Sequence, residues 1–462
     1  MTSISPCISV PVRLYLNGAF YNGTALDSSA LLVMGYERAQ RAVVEMLSTE
    51  GRAGWEHDKV VDPSGLRFSV TGKYPTLIPV SFASKTGEAV VERVRCVIAE
   101  FSATYSDVAE VEVDEADIDF FDFGVGVLAI KLSVIPRATL CIGELRALAE
   151  NLSTALVKPL NELVANAVEE FDNAVKRSLP VTQLHASSWL QDDGYLHQSG
   201  SGHTLGRSAL ARLLWLHRTF ILGPQVSTTI EEHVEELLPS LCEHDQSQDL
   251  LFVPGLGSSA LLMRTTVANS EHGLRGIGGL LTLMDLQWAY IAAAMEIDRT
   301  LFRRLNGFRA SAGRASAVAL ERESRSVLEL YDRVRLFRAS ISSIIIDLGG
   351  GARRSWDVMA RVQSVPEILA TIDDKLSALR DACDTLLKEA SVKRQRRIAL
   401  TVDLFAGFSV VASIVAVVAF FFATDVDAST LTRVTVLTLA VLLVLSALLG
   451  TRLAFLRERQ RL

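Results

Sequence analysis

The chain has few cysteines, and none of them lie close together in the sequence. Its 462 residues contain no Cys-x-x-Cys pair. Zinc modules and disulfide frameworks both depend on such spacings, so the sequence favours neither and fits a reducing compartment. The cysteines are Cys7, Cys96, Cys141, Cys242 and Cys383.

Positive charge is also in short supply. The 46 lysines and arginines are outnumbered by 53 aspartates and glutamates, which gives a formal net charge of −7. Nucleic-acid-binding domains present a basic face, so we expect no nucleic-acid partner. The bases are mostly arginine, which we interpret as the bias of a bacterial genome. The N-terminus lacks a basic segment followed by an apolar core, so we expect no secretory signal and a cytoplasmic main domain.

Motifs of known catalytic sites are missing as well. The sequence has no Gly-x-Ser-x-Gly, no His-Glu-x-x-His and no kinase signature, so we do not expect an enzyme. Metal ligands could come from the acidic stretch 110–122 or from the histidines, seven of which fall within residues 185–272. We favour a solvent-exposed strand for the acids and an unliganded loop for the histidines. The sequence therefore predicts no cofactor, with a divalent cation left open and its ligands unknown.

Long apolar runs, in contrast, are present near the C-terminus. Residues 404–423 and 434–449 are almost entirely apolar, and a short polar link, 424–433, separates them. A helix of about 20 apolar residues rises about 30 Å, which matches the hydrocarbon core of a bilayer. We therefore predict a two-helix transmembrane hairpin over residues 398–456. The alternative is a hairpin buried in the core of a soluble protein.

Basic residues bracket this hairpin and predict its orientation. The link between the runs carries Asp425, Asp427 and a single base, Arg433. Because basic flanks stay in the cytoplasm, we expect a multi-pass protein of the inner membrane with both termini cytoplasmic. The flanking bases are Lys393, Arg394, Arg396 and Arg397 before the first run, and Arg452, Arg457, Arg459 and Arg461 after or at the end of the second.

The rest of the pattern predicts an α+β fold. Residues 1–136 are expected to form a cytoplasmic α/β domain with a mixed sheet, including a helix over 88–101 and a hairpin over 111–134 that turns near Gly124 and Gly126. Residues 137–278 are a mixed helical and strand region that could form a second lobe. A long-helix stalk follows over 279–397, and the hairpin ends in a basic cytoplasmic tail, 457–462.

An apolar seam runs along the stalk just before the membrane. Its residues alternate at spacings of three and four, as in a coiled coil. They could pair with another chain or pack against the preceding helices of the same chain. The seam consists of Leu369, Ile372, Leu376, Leu379, Cys383, Leu386 and Ala390.

Asp403 lies at the edge of the first apolar run, where an ionised group is costly unless it faces water or a partner. Small residues on the same helix would let neighbouring helices approach, or would line a narrow path with Asp403 at its mouth. The alternative is that Asp403 pairs with Arg396 or Arg397 in the headgroup layer. The hypothetical ion path comprises Asp403, Ala406, Ser409, Ser413 and Ala416.

This order of elements resembles the CorA-like two-span metal-ion transporters. The resemblance implies a homo-oligomer, typically pentameric, with the first span lining a cation path and Asp425 and Asp427 at its outer mouth. The Gly-Met-Asn tripeptide that closes the first span in that family is replaced here by Phe422, Ala423 and Thr424, followed by Asp425. The alternative function is a cytoplasmic sensor, scaffold or defence-system effector that uses the hairpin as its membrane anchor.

Overall fold

The structure is a computed structural model, and it describes only part of the chain. The described residues are 7–25, 55–57, 84–105, 107–121, 123–178, 212–226, 238, 245–246, 250–264, 271–311, 317–347, 350–422, 434–435 and 438. Most of the second apolar run, the outer link with Asp425 and Asp427, and the loop histidines at 185–203 therefore lie outside the described residues.

A mixed β-sheet forms the centre of the described fold. Its nine described strands follow the order β3-β4-β5-β6-β2-β8-β11-β10-β9, and all neighbours are antiparallel except β8 and β11. A separate pair joins β1 (Cys7–Ile8) and β7 (Leu140–Cys141). The sheet strands are β2 (Val12–Ala25), β3 (Trp55–His57), β4 (Ser84–Thr86), β5 (Ala109–Phe120), β6 (Phe123–Pro136), β8 (His217–Leu222), β9 (Asp245–Gln246), β10 (Leu250–Val253) and β11 (Ser258–Met263).

Long helices make up most of the remaining described chain, and the α+β class with a mixed sheet is as predicted. The helices are α1 (Gly87–Thr104), α2 (Ile142–Ser178), α3 (Glu271–Ser311), α4 (Ala317–Asp347), α5 (Gly350–Val362) and α6 (Val365–Phe422). The predicted helix over 88–101 is confirmed as α1, and the predicted hairpin over 111–134 is confirmed as β5 and β6. Gly124 makes the turn of this hairpin with φ of 87°, a conformation that favours glycine.

The sheet has two different faces because side chains alternate along each strand. Leu14 and Leu16 of β2 point into an apolar core that also contains residues of α1 and α2. Tyr15 and Asn17 point to the opposite face, where both donate hydrogen bonds to Asp285 of α3. The sheet is thus covered by α1 and α2 on an apolar face and by α3 on a partly polar one.

The chain divides into two compact units. The first comprises Met1–Gly307 and Glu329–Leu379, and the second comprises Phe308–Leu328 and Arg380–Leu462. Within the first unit Asp373 of α6 forms an ion pair with Arg338 of α4. Within the second unit Cys383 of α6 lies 2.9 Å, Sγ to Oγ, from Ser324 of α4.

The apolar seam of α6 is buried inside the single chain. Six of its seven residues are buried, and Leu369 is half-buried. Helices of the same chain therefore cover the seam, as the intramolecular alternative requires. The six are Ile372, Leu376, Leu379, Cys383, Leu386 and Ala390.

Candidate functional site

The C-terminal half of α6 is an apolar helix that the described chain leaves uncovered. From Arg394 to Ala419 every side chain is exposed or half-buried, and Phe405 and Phe408 are each 71% exposed. A soluble monomer rarely exposes so large a continuous apolar surface, whereas a membrane-spanning or interchain helix requires one. We call residues 398–419 the exposed apolar segment.

Two described helices are long and apolar enough to cross a membrane, by length and composition alone. One stretch, Ile277–Asn306 of α3, is mostly buried within the fold, so it is the core helix against the sheet. The other, Val365–Ala419 of α6, contains the exposed apolar segment, and none of its apolar window is buried. The first predicted span is therefore a continuous, exposed helix, while the second predicted span lies almost wholly outside the described residues.

The residues of the hypothetical ion path share one side of α6. At about 100° per residue, Ala406, Ser409, Ser413 and Ala416 fall within an arc of about 80°, with Asp403 about 60° beyond Ala406. The hydroxyl of Ser413 donates to the carbonyl of Ser409 at 2.9 Å, so it is satisfied within the helix. Asp403 is exposed and forms no ion pair with Arg396 or Arg397, all three being described residues.

A second group of polar side chains, which sequence patterns did not reveal, lies buried between the sheet and α3. In the strand register Asn17 is opposite His217, and Thr219 lies between Tyr15 on one side and Ser259 on the other. Directly paired residues point to the same face, and here that face meets Asp285. We call these six residues, Tyr15, Asn17, His217, Thr219, Ser259 and Asp285, the polar layer.

Asp285 is the centre of the polar layer. Its carboxylate accepts hydrogen bonds from the Tyr15 hydroxyl and from Asn17 Nδ2, the latter at 2.7 Å. A carboxylate can only accept, so this contact fixes the orientation of the Asn17 amide. Asn17 Oδ1 is then a buried acceptor without a hydrogen-bond partner among the described residues.

His217 is buried and neutral. Burial, and secondly the charge of Arg218, lower its pKa from 6.5 to about 3. Its Nε2 lies 2.8 Å from Ser259 Oγ. The Gly255 amide donates to the same Oγ at 3.4 Å. The ring lies 5.0 Å, centroid to centroid, from that of Trp288.

The polar layer is incompletely satisfied. Within the described part of the chain, three buried atoms of the layer and one of the neighbouring Trp215 have no hydrogen-bond partner. They are Asn17 Oδ1, His217 Nδ1, Thr219 Oγ1 and Trp215 Nε1. Each such group destabilises the folded state by about 1–3 kcal/mol relative to a satisfied one. These groups lower the stability that the contact between α3 and the sheet would otherwise provide.

The Ser259–His217 contact joins a hydroxyl to an imidazole, as in a catalytic nucleophile and its base, but it lacks solvent access and an orienting carboxylate. Both side chains are only 1% exposed, and in the described structure no carboxylate orients His217 through Nδ1. A substrate could not reach Ser259 in this closed arrangement. The described residues also contain no cluster of three or more His, Cys, Asp or Glu side chains that could hold a metal ion.

Three acids of the stretch on β5 have polar partners on β6 or just after it. Glu110 contacts Arg137 at 3.1 Å, Glu115 pairs with Lys131, and Asp114 accepts from the Ser133 hydroxyl. Such polar pairs fit the solvent-exposed strand face that the sequence favours.

The helix that carries Asp285 also contacts the beginning of α6. Lys375 Nζ of α6 lies 2.6 Å from Asp298 Oδ1 of α3 and 5.6 Å from the centre of the Phe302 ring. Nearby on α3, burial raises the pKa of Glu296, with Arg303 and Arg299 opposing the shift. The sheet, α3 and the start of α6 are thus connected by polar contacts within one unit.

Comparisons with models of protein families and with curated proteins give no match to this chain.

Proposed function

We propose that the protein is a homo-oligomeric membrane channel or transporter for cations, similar to the CorA-like class, with a large cytoplasmic domain that regulates it. The observation that carries this proposal is the continuity of α6. One helix of 58 residues holds a buried seam in its first half and the exposed apolar segment in its second half. Such a helix can transmit a movement of the folded domain to the bilayer without an intervening hinge.

The exposed apolar segment supports an assembly of several chains. Two spans per chain cannot enclose a path for ions, so a pore needs the first spans of several copies. The small side chains from Ala406 to Ala416 would let these helices approach closely. One Asp403 from each copy would then form an acidic ring at the cytoplasmic mouth, which attracts cations.

The orientation follows from the flanking charges. The first span enters an inner membrane from the cytoplasm, the link with Asp425 and Asp427 lies outside, and the second span returns. Both termini are then cytoplasmic, and the outer carboxylates raise the local concentration of cations at the far mouth.

The polar layer supports a regulatory role for α3. Its unsatisfied groups make the contact between α3 and the sheet easy to rearrange, and α3 holds the start of α6 through Asp298 and Lys375. A ligand or partner that shifts α3 on the sheet would therefore act on α6.

Cation flux into liposomes tests the function. The full chain is reconstituted, and flux is compared with that of Asp403→Asn, of the charge-preserving Asp403→Glu, and of a matched control, Asp374→Asn, on the exposed face of the same helix. We expect flux in the wild type, in Asp403→Glu and in the control, and a strong reduction in Asp403→Asn. No flux in the wild type, with retention of its binding partners, would favour the membrane-anchored sensor instead.

A further inference from the structure

Three arginines lie immediately before the exposed apolar segment. Arg394, Arg396 and Arg397 are all exposed, and none of them forms an ion pair with another described residue. Together with Lys393 they cover an arc of about 160° around α6, by the 100° step of a helix. The nearest acids along the helix are Glu389 and Asp403, and neither lies between these bases.

The neighbouring apolar residues define what can bind there. Ile398, Leu400 and Leu404 are each more than half exposed, so positive charge and uncovered apolar surface meet within about three turns. A phospholipid has the same two parts in the same order, a phosphate followed by acyl chains. Arginine can hold a phosphate with two parallel hydrogen bonds, which makes it suited to this role.

We propose that Arg394, Arg396 and Arg397 form a binding site for the headgroup of anionic phospholipids. The proposal rests on the proposed function only in placing α6 at a bilayer surface, and it does not require α6 to span the bilayer. One phosphate lies against Arg394 and Arg397, about 60° apart around the helix, and its acyl chains lie along Ile398 and Leu404. Arg396, about 100° further round, holds a second headgroup. A bound anionic lipid would fix the depth and rotation of α6 at the membrane surface.

A binding measurement on the full chain in neutral detergent tests the site. Short-chain phosphatidylglycerol is titrated against phosphatidylcholine with the same acyl chains, so the two ligands differ in headgroup charge. We expect wild-type protein to bind phosphatidylglycerol more tightly and to lose this preference as salt is raised. In the triple variant R394Q/R396Q/R397Q the affinity should fall by about a hundredfold, since each base near a membrane surface contributes about fivefold.

The matched control is R322Q/R325Q/R380Q, which removes three exposed arginines away from the apolar segment. It should bind phosphatidylglycerol within about twofold of wild type. Equal binding of the two lipids by wild-type protein, or an equal loss in both triple variants, would overturn the proposal. So would inorganic phosphate alone competing as strongly as the lipid, because the site would then serve a soluble phosphate.

Alkaline washing of native membranes separates the site from the proposed function. If the protein washes off while purified protein still prefers phosphatidylglycerol, the headgroup site stands and the membrane channel is wrong. If the protein stays in the membrane but shows no lipid preference, only the headgroup site is wrong.

Discussion

Removing Asp285 tests whether the polar layer holds α3 on the sheet. In Asp285→Ala the Tyr15 hydroxyl and the Asn17 amide lose their buried acceptor. Each donor that loses this acceptor destabilises the fold by about 1–3 kcal/mol, so the free energy of unfolding should fall by about 2–6 kcal/mol. Urea unfolding of the full chain in mild detergent measures this change, and Trp288, one turn along α3, reports it by fluorescence.

A double-mutant cycle with Tyr15→Phe isolates the central contact. In the Tyr15→Phe background one of the two donors is already gone, so Asp285→Ala should cost about 1–3 kcal/mol less than in wild type. The control, Asp374→Ala on an exposed face of α6, should change stability by less than about 0.5 kcal/mol. If Asp285→Ala behaves like this control, or if the two substitutions simply add, the polar layer does not hold α3.

Further predictions concern the histidine, the seam and the hairpin. The pKa of His217 is about 3 when folded and 6.5 when unfolded, so protons favour the unfolded state and stability falls as pH drops below about 6.5. Between pH 7 and 5 the free energy of unfolding should fall by about 2 kcal/mol for this reason. Urea unfolding at both pH values should show a smaller fall in His217→Gln. An unchanged pH dependence in that variant would refute the lowered pKa of His217. Leu379→Ala in the buried seam should lower the free energy of unfolding by about 2–5 kcal/mol in the same assay. Leu387 is 39% exposed, so Leu387→Ala should lower it by less than about 1 kcal/mol. Equal losses in the two variants would contradict burial of the seam. In Gly126→Ala a Cβ would lie 2.2 Å from the Phe20 ring, so we expect a lower melting temperature. An unchanged melting temperature would mean that the hairpin packs differently.

Much of the fold followed from periodicity. The hairpin of β5 and β6, the helix α1, and the stalk and first apolar run that together form α6 have patterns that are local in the sequence, so short windows were enough to predict them. The seam of α6 had two readings because a three-and-four spacing does not say which helix covers it. Only the positions of Ser324 and Arg338 on α4 decide that the same chain does.

The polar layer could not be predicted for a different reason. Tyr15 and Asn17 alternate with Leu14 and Leu16, which is also the pattern of a strand with one face in water. Burial of this face by α3 depends on contacts between residues far apart in the sequence, since Asp285 is 268 residues from Asn17. The available signal was Asp285 itself, an acid in the middle of an apolar helix that must find a buried partner.

We propose that several copies of α6 surround one path through the membrane. The most direct test is the native mass of the full chain purified in detergent, with the mass of bound detergent subtracted. We expect a stable particle of several times the 50.4 kDa chain mass. A monomer at all concentrations would contradict it, because two spans from one chain cannot enclose a cation path.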